Sequence, residues 1–149
     1  MFIQAFFEGI ITGLGALFLE LAVLTIFNLP PVENALSTLL IFVAIEEILK
    51  YALIYNHYLK SVAKQKIVPS ALLIGLGFAL TELFLKQLAY QKEDLLPVLG
   101  LVSIHLLTAA IVGYFLRQNY GRHKFFIGLL LALNIILHFG YNLLILDYF

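Results

Sequence analysis

The sequence predicts an all-α protein: a polytopic membrane helix bundle of about five transmembrane helices, forming a single domain over residues 1–149. Three observations predict it. Hydrophobic residues make up 62% of the chain and charged residues only 12%, with a mean hydropathy of +1.01. Apolar runs of about twenty residues, the length that crosses a hydrocarbon core, follow one another almost without pause. No polar segment between them exceeds roughly ten residues, too few to build a soluble domain with its own core.

The runs are Phe2 to Phe27, Ala35 to Leu59, Pro69 to Tyr90, Pro97 to Leu116 and Phe125 to Leu146. The first has no basic residues at its start and is longer than the apolar core of a signal peptide, so it reads as a retained helix. Asn28 to Asn34, "NLPPVEN", closes it, because prolines cannot continue a helix and the polar residues prefer water. Pro69 and Pro97 fit helix starts, where a missing N–H costs nothing. Gly9 and Gly13, and then Ala71, Gly75 and Ala79, recur at four-residue spacing and let helix backbones approach closely. Tyr58, Tyr90, Tyr120 and Tyr148 fall near the boundaries of the spans, where amphipathic aromatics sit.

Orientation follows from the loops. Lys60, Lys64 and Lys66 follow the second run, and Arg117, Arg122 and Lys124 follow the fourth. The other connections carry Glu33, then Lys92, Glu93 and Asp94, with Asp147 at the C-terminus. The positive-inside rule therefore predicts a cytoplasmic N-terminus and an extracytoplasmic C-terminus; the expected location is the cell membrane of a prokaryote.

Composition also excludes chemistries. A net charge of zero with no Lys/Arg-rich pattern argues against a nucleic-acid partner. The absence of cysteine removes disulfides, thiolate metal sites and a cysteine nucleophile. The remaining signal is a set of ionisable residues inside apolar runs, each costing at least a few kcal/mol at membrane depth. These are Glu46, Glu47, Lys50, Glu82, His105 and His138, with Asn134 and Asn142 on the face of His138. At about 1.5 Å of rise per residue, Glu82, His105 and His138 each lie about 12 Å, and Glu46 about 16 Å, from the outer ends of their helices. Four residues from four runs thus share one layer in the outer half of the bilayer. Lys50, four residues after Glu46, reads as its neutralising partner. Glu47 points about 100° away from Glu46, so one of the two is chemical and the other structural. Glu8 lies near the cytoplasmic end, Glu20 approaches the polar layer as a minor candidate, and Lys86 reads as a snorkelling, structural residue.

Two histidines with carboxylates in such a pocket admit two mechanisms. His105, His138 and a glutamate can hold Zn²⁺ with an open position, another glutamate acting as base. Alternatively, a glutamate activates water without a metal, while the histidines and Asn142 orient the water and stabilise the oxyanion. Both hydrolyse a peptide bond. No HExxH or GxSxG motif is present.

"EEILK" (Glu46 to Lys50), "FALTE" (Phe78 to Glu82), His105 in the next run and "HFGYN" (His138 to Asn142) in the last resemble the ordered motifs of PrsW-type intramembrane proteases. That family is grouped with the CAAX prenyl endopeptidases and the bacteriocin-processing membrane proteases. The resemblance covers Ala44 to Asn142, in a chain short for the family and with Leu83 where its pattern has asparagine. It implies endoproteolysis of a single-pass membrane protein, of the anti-sigma-factor type, near the outer face of the bilayer. By position, it implies Glu46 or Glu47 as base, with Glu82, His105 and His138 as metal ligands or water-orienting groups. Two other readings compete: an ion- or metal-coupled transporter using the same groups as a cation path, and a non-catalytic scaffold for another membrane protein.

Overall fold

A computed structural model of the protein describes residues 2–30, 35–60, 64–90, 95–118 and 124–146. They form five α-helices: α1 (Phe2–Phe27), α2 (Leu36–Lys60), α3 (Ile67–Tyr90), α4 (Leu95–Arg117) and α5 (Lys124–Leu146), with a 3-10 turn at Lys64–Lys66 leading into α3. Every regular element among the described residues is helical, as the hydropathy pattern predicts. Helices α1, α3, α4 and α5 are long and apolar enough to cross a membrane. Helix α2 has the length, 25 residues, but carries Glu46, Glu47 and Lys50 at its middle. Of the residues bearing on orientation, Glu33, Lys92, Glu93, Asp94, Arg122 and Asp147 lie outside the described residues, as do the boundary tyrosines Tyr120 and Tyr148.

Local chemistry accounts for the helix ends. Helix α1 closes on Asn28, whose φ of 49° is left-handed, and the Leu29 amide reaches back to the Leu24 carbonyl at 3.1 Å. This six-residue closure is a Schellman cap with asparagine in place of the usual glycine. The helix therefore stops before the prolines rather than at them. Thr38 anchors the start of α2 to the same turn by donating its hydroxyl to the Pro30 carbonyl at 2.9 Å. Pro69 and Pro97 both sit in the first turn of their helices, where amides have no intrahelical acceptor.

Helix α3 is central. Half of its apolar stretch is buried, against 17% for α1 and α5. Glycine makes this close packing possible. A methyl group on Gly9 would strike the backbone of Ile74, and one on Gly77 would strike the Phe6 carbonyl. On the other face, a Cβ on Gly75 would come within 2.7 Å of the His105 carbonyl oxygen and 2.8 Å of the Ala109 methyl. Small residues at these places bring α1 and α4 onto opposite sides of α3 at backbone contact. Of the predicted pattern, Gly9 and Gly75 are at such contacts, Gly13 faces the Thr81 side chain, and Gly77, off the four-residue repeat, joins the first two.

The bundle divides along its length. An aliphatic core of Ile54, Ile67, Ile74, Val112, Leu116 and Leu130 fills the half near the start of α3 and the end of α4. Polar side chains occupy the interior of the other half.

Candidate functional site

Five helices converge on this polar half. His105 (α4) and His138 (α5) are fully buried, with ring centroids 4.8 Å apart in an edge-to-face arrangement. The His105 Nε2 and Glu82 Oε2 atoms are 2.6 Å apart, and the other Glu82 oxygen accepts from Lys86 Nζ at 3.0 Å. Lys86 is thus the ion-pair partner of Glu82 in addition to reaching outward. Donor atoms of Glu46, Glu82, His105 and His138 all lie within 4.8 Å of one another. Four helices have brought together the four residues that the depth argument placed in one layer.

The glutamate pair splits into two environments. Glu47 is fully buried, and its Oε1 accepts from Lys50 Nζ at 2.6 Å and from His138 Nδ1 at 2.8 Å. Glu46 faces the cluster, its Oε2 lying 3.6 Å from His138 Nε2, with its side chain 13% exposed. Lys50 therefore neutralises Glu47, three residues back, and not Glu46, four residues back, as the helical spacing predicts. The reason is tertiary: Lys50 Nζ also donates to Thr108 Oγ1 of α4 at 3.0 Å, which draws the lysine head to the Glu47 side. A buried lysine and carboxylate are tolerable only as a hydrogen-bonded pair, and here Lys50 and His138 both meet Glu47 Oε1, while Glu47 Oε2 has no partner among the described residues.

Around the cluster runs a supporting shell. Thr108 Oγ1 donates to the His105 carbonyl at 3.4 Å, and Asn134 Nδ2 donates to the Thr108 carbonyl at 3.3 Å. Phe78 lies under both Lys50, at 5.2 Å from Nζ to the ring centroid, and His105, at 5.2 Å between rings. The sequence reading did not single out Thr108, although it lies one turn beyond His105 and is a polar residue in an apolar helix. Asn142, a predicted oxyanion-stabilising group, is half-buried and makes no hydrogen bond among the described residues. Glu20 of α1, a minor candidate in the sequence, is buried but stands outside this four-residue group, and its Oε1 has no hydrogen-bond partner among the described residues.

The His138 ring fixes what the cluster can hold. Because Glu47 is already paired with Lys50 as a carboxylate, His138 Nδ1 is the donor in their hydrogen bond, and in the neutral imidazole Nε2 then presents a lone pair. That lone pair faces Glu46 Oε2, and neither atom has a hydrogen-bond partner. Two electron-pair donors 3.6 Å apart do not bond to each other. Their separation is close to the roughly 3.3 Å between adjacent donors around a tetrahedral Zn²⁺ with bonds near 2.05 Å. Glu82 and His105 hydrogen-bond directly, and holding an ion through both requires that contact to open by under about 1 Å. The residues thus fit a divalent metal with nitrogen and oxygen donors, and Glu46 joins the predicted set of Glu82, His105 and His138. They fit a water molecule in the same gap equally well in donor–acceptor terms.

No family of known proteins, no characterised protein and no solved structure matches the chain.

Proposed function

We propose that the protein is an intramembrane endopeptidase that hydrolyses a peptide bond in a single-pass membrane protein. The observation that carries this reading is the division of labour between adjacent glutamates. Glu47 is sealed and committed to Lys50 and His138, while Glu46 is partly open and aims a free carboxylate oxygen into a cluster of two histidines and Glu82. A hydrolase needs one positioned proton acceptor, a polarising group opposite it, and a shell that holds both still.

In this mechanism Glu46 accepts a proton from the attacking water and returns it to the leaving amine. Glu47 fixes the His138 tautomer through Nδ1, which keeps Nε2 directed as an acceptor at the reacting water. Glu82 orients His105 in the same way. A divalent ion held by Glu82, His105 and His138 would supply Lewis acidity there. Glu46 and Glu82, with side chains 13% and 20% exposed, mark the side from which substrate and water enter, since the two histidines are closed off.

The resemblance of the four motifs to PrsW-type proteases supports the same chemistry and an anti-sigma-factor type of substrate. It agrees with a prokaryotic cell membrane, α2 as a fifth span, a cytoplasmic N-terminus and a reaction in the outer half of the bilayer. The charge on α2 is consistent with insertion because Lys50 cancels Glu47 and the remaining carboxylate faces the interior. The test is cleavage of single-pass candidate substrates in liposomes by the wild type, Glu46→Gln and His138→Ala. Cleavage by the wild type and a fall of about 10²-fold or more in both variants is expected; unchanged cleavage by both overturns the proposal.

A further inference from the structure

Each histidine of the cluster is backed by a glutamate and a lysine. Lys50 Nζ lies 2.6 Å from Glu47 Oε1, and the same oxygen accepts from His138 Nδ1 at 2.8 Å. Lys86 Nζ lies 3.0 Å from Glu82 Oε1, and the other oxygen of Glu82 lies 2.6 Å from His105 Nε2. In both sets the lysine follows its glutamate by one turn of the same helix, α2 for the first and α3 for the second. Side chains on a helix lean toward its N-terminus, so a lysine three or four residues after a glutamate carries its ammonium back to that carboxylate. Both lysine heads therefore turn toward the cluster.

The two sets differ in burial and in geometry. Lys50 and Glu47 are sealed, whereas the Lys86 and Glu82 side chains are 31% and 20% exposed. Glu47 meets its lysine and its histidine through one oxygen, and Thr108 holds that lysine from α4. Glu82 meets them through opposite oxygens. The terminal torsion of a glutamate is broad, so a carboxylate held at one oxygen alone keeps its freedom to swing. Anchoring the far oxygen fixes its plane and aims the near oxygen at His105. An ion pair this exposed contributes little to stability, so its consequence falls on the geometry of the cluster.

We propose that Lys86 is a positioning residue of this centre: by holding Glu82 Oε1 it fixes the carboxylate that orients His105, as Lys50 does for Glu47 and His138. The inference rests on the hydrolytic reading of the cluster and gives a role in it to a residue whose sequence position reads as structural. It applies whether water or a metal ion fills the gap, since Lys86 takes the Glu82 oxygen that His105 does not.

The experiment compares the wild type, Lys86→Met, Lys86→Arg, Glu82→Gln and the double variant of Lys86→Met with Glu82→Gln, all without a polyhistidine tag. It reads cleavage of a single-pass substrate in liposomes and, with no substrate present, the nitrogen NMR signals of isotope-labelled histidines. Methionine keeps the lysine stem and removes the charge; arginine keeps the charge. Lys86→Met is expected to lower kcat by about tenfold or more with KM little changed, and Lys86→Arg to recover most of that loss. In the double variant, Lys86→Met is expected to cost nothing beyond Glu82→Gln, because it acts through that carboxylate. The His105 ring signals, identified as those lost in His105→Gln, are expected to broaden or split in Lys86→Met and to return in Lys86→Arg, while those of His138 stay in place. A raised KM with kcat unchanged overturns the proposal and makes Lys86 a substrate contact. Additive losses in the double variant, or His105 signals indifferent to Lys86→Met, overturn it as well. A wild type that cleaves nothing removes the hydrolytic reading, and the His105 signals then decide alone whether Lys86 positions the ring. Thermal stability of Lys86→Met close to that of the wild type ties the changes to the site and not to folding.

Discussion

Glutamate meets histidine in two regions of this bundle, with opposite surroundings. Near the start of α1 and the end of α2, Glu8 and His57 form a close pair, with Gln4 donating to the other Glu8 oxygen at 2.8 Å. The side chains are 29% and 11% exposed, and two helices supply everything. In the polar half, the histidines are fully buried, four helices bring the quartet together, and Thr108, Asn134 and Lys50 brace it from behind. The first pair satisfies itself and leaves no acceptor aimed at empty space. The second arrangement pairs Glu47 Oε1 with Lys50 and His138 and leaves His138 Nε2 and Glu46 Oε2 facing each other unbonded. Residue type is therefore a poor guide to chemistry here. What distinguishes a reactive cluster from an ion pair is which lone pairs the fold leaves unspent.

The sharpest way to break the comparison is to unbalance the buried side. Lys50→Met strands the Glu47 carboxylate in the interior and is expected to destabilise the protein by about 3–5 kcal/mol, read as a loss of thermal stability in detergent. Combining it with Glu47→Gln is expected to recover most of that loss, because no charge is then stranded. Recovery that fails would show that Lys50 matters for packing rather than charge. Gly75→Ala tests how tightly the site's scaffold is set. Helix propensity gains up to about 1 kcal/mol, but the new methyl meets the His105 carbonyl oxygen at 2.7 Å, a backbone atom that cannot swing aside. Overpacking costs about 1–3 kcal/mol, so a modest net destabilisation is expected, with a larger drop in cleavage because His105 is displaced. The smallest effect belongs to the open pair. His57→Ala is expected to change stability by under about 1 kcal/mol and leave cleavage unchanged; a loss of cleavage would join the two regions into one path and favour a cation carrier.

The helices were legible because hydropathy and proline placement act locally, and they fall within a few residues of the predicted runs. The shared layer of Glu46, Glu82, His105 and His138 was legible because depth follows from helical rise alone. Rotation about the helix axis was not. Whether Glu46 or Glu47 faces the histidines depends on how α2 is turned by its neighbours, and the sequence of α2 contains both answers. The partner of Lys50 was misread for the same reason, since a lysine stem reaches three residues back as easily as four, and Thr108 on another helix decides. Glu20, a minor candidate in the sequence, is buried in the bundle, and nothing in α1 alone shows which way its carboxylate turns.

The glycine contacts along α3 have a consequence for the reaction as well as for packing. Gly9, Gly75 and Gly77 set the distance of α1 and α4 from α3 at the limit of backbone contact, and α3 and α4 carry Glu82 and His105. A spacing set by touching backbones has no slack, unlike one set by side chains that can change rotamer. Gly75 therefore acts as a gauge block for the centre: one added carbon there changes the span between Glu82 and His105. The bundle can drift in sequence over its outer surface while the dimensions of its reactive interior stay fixed.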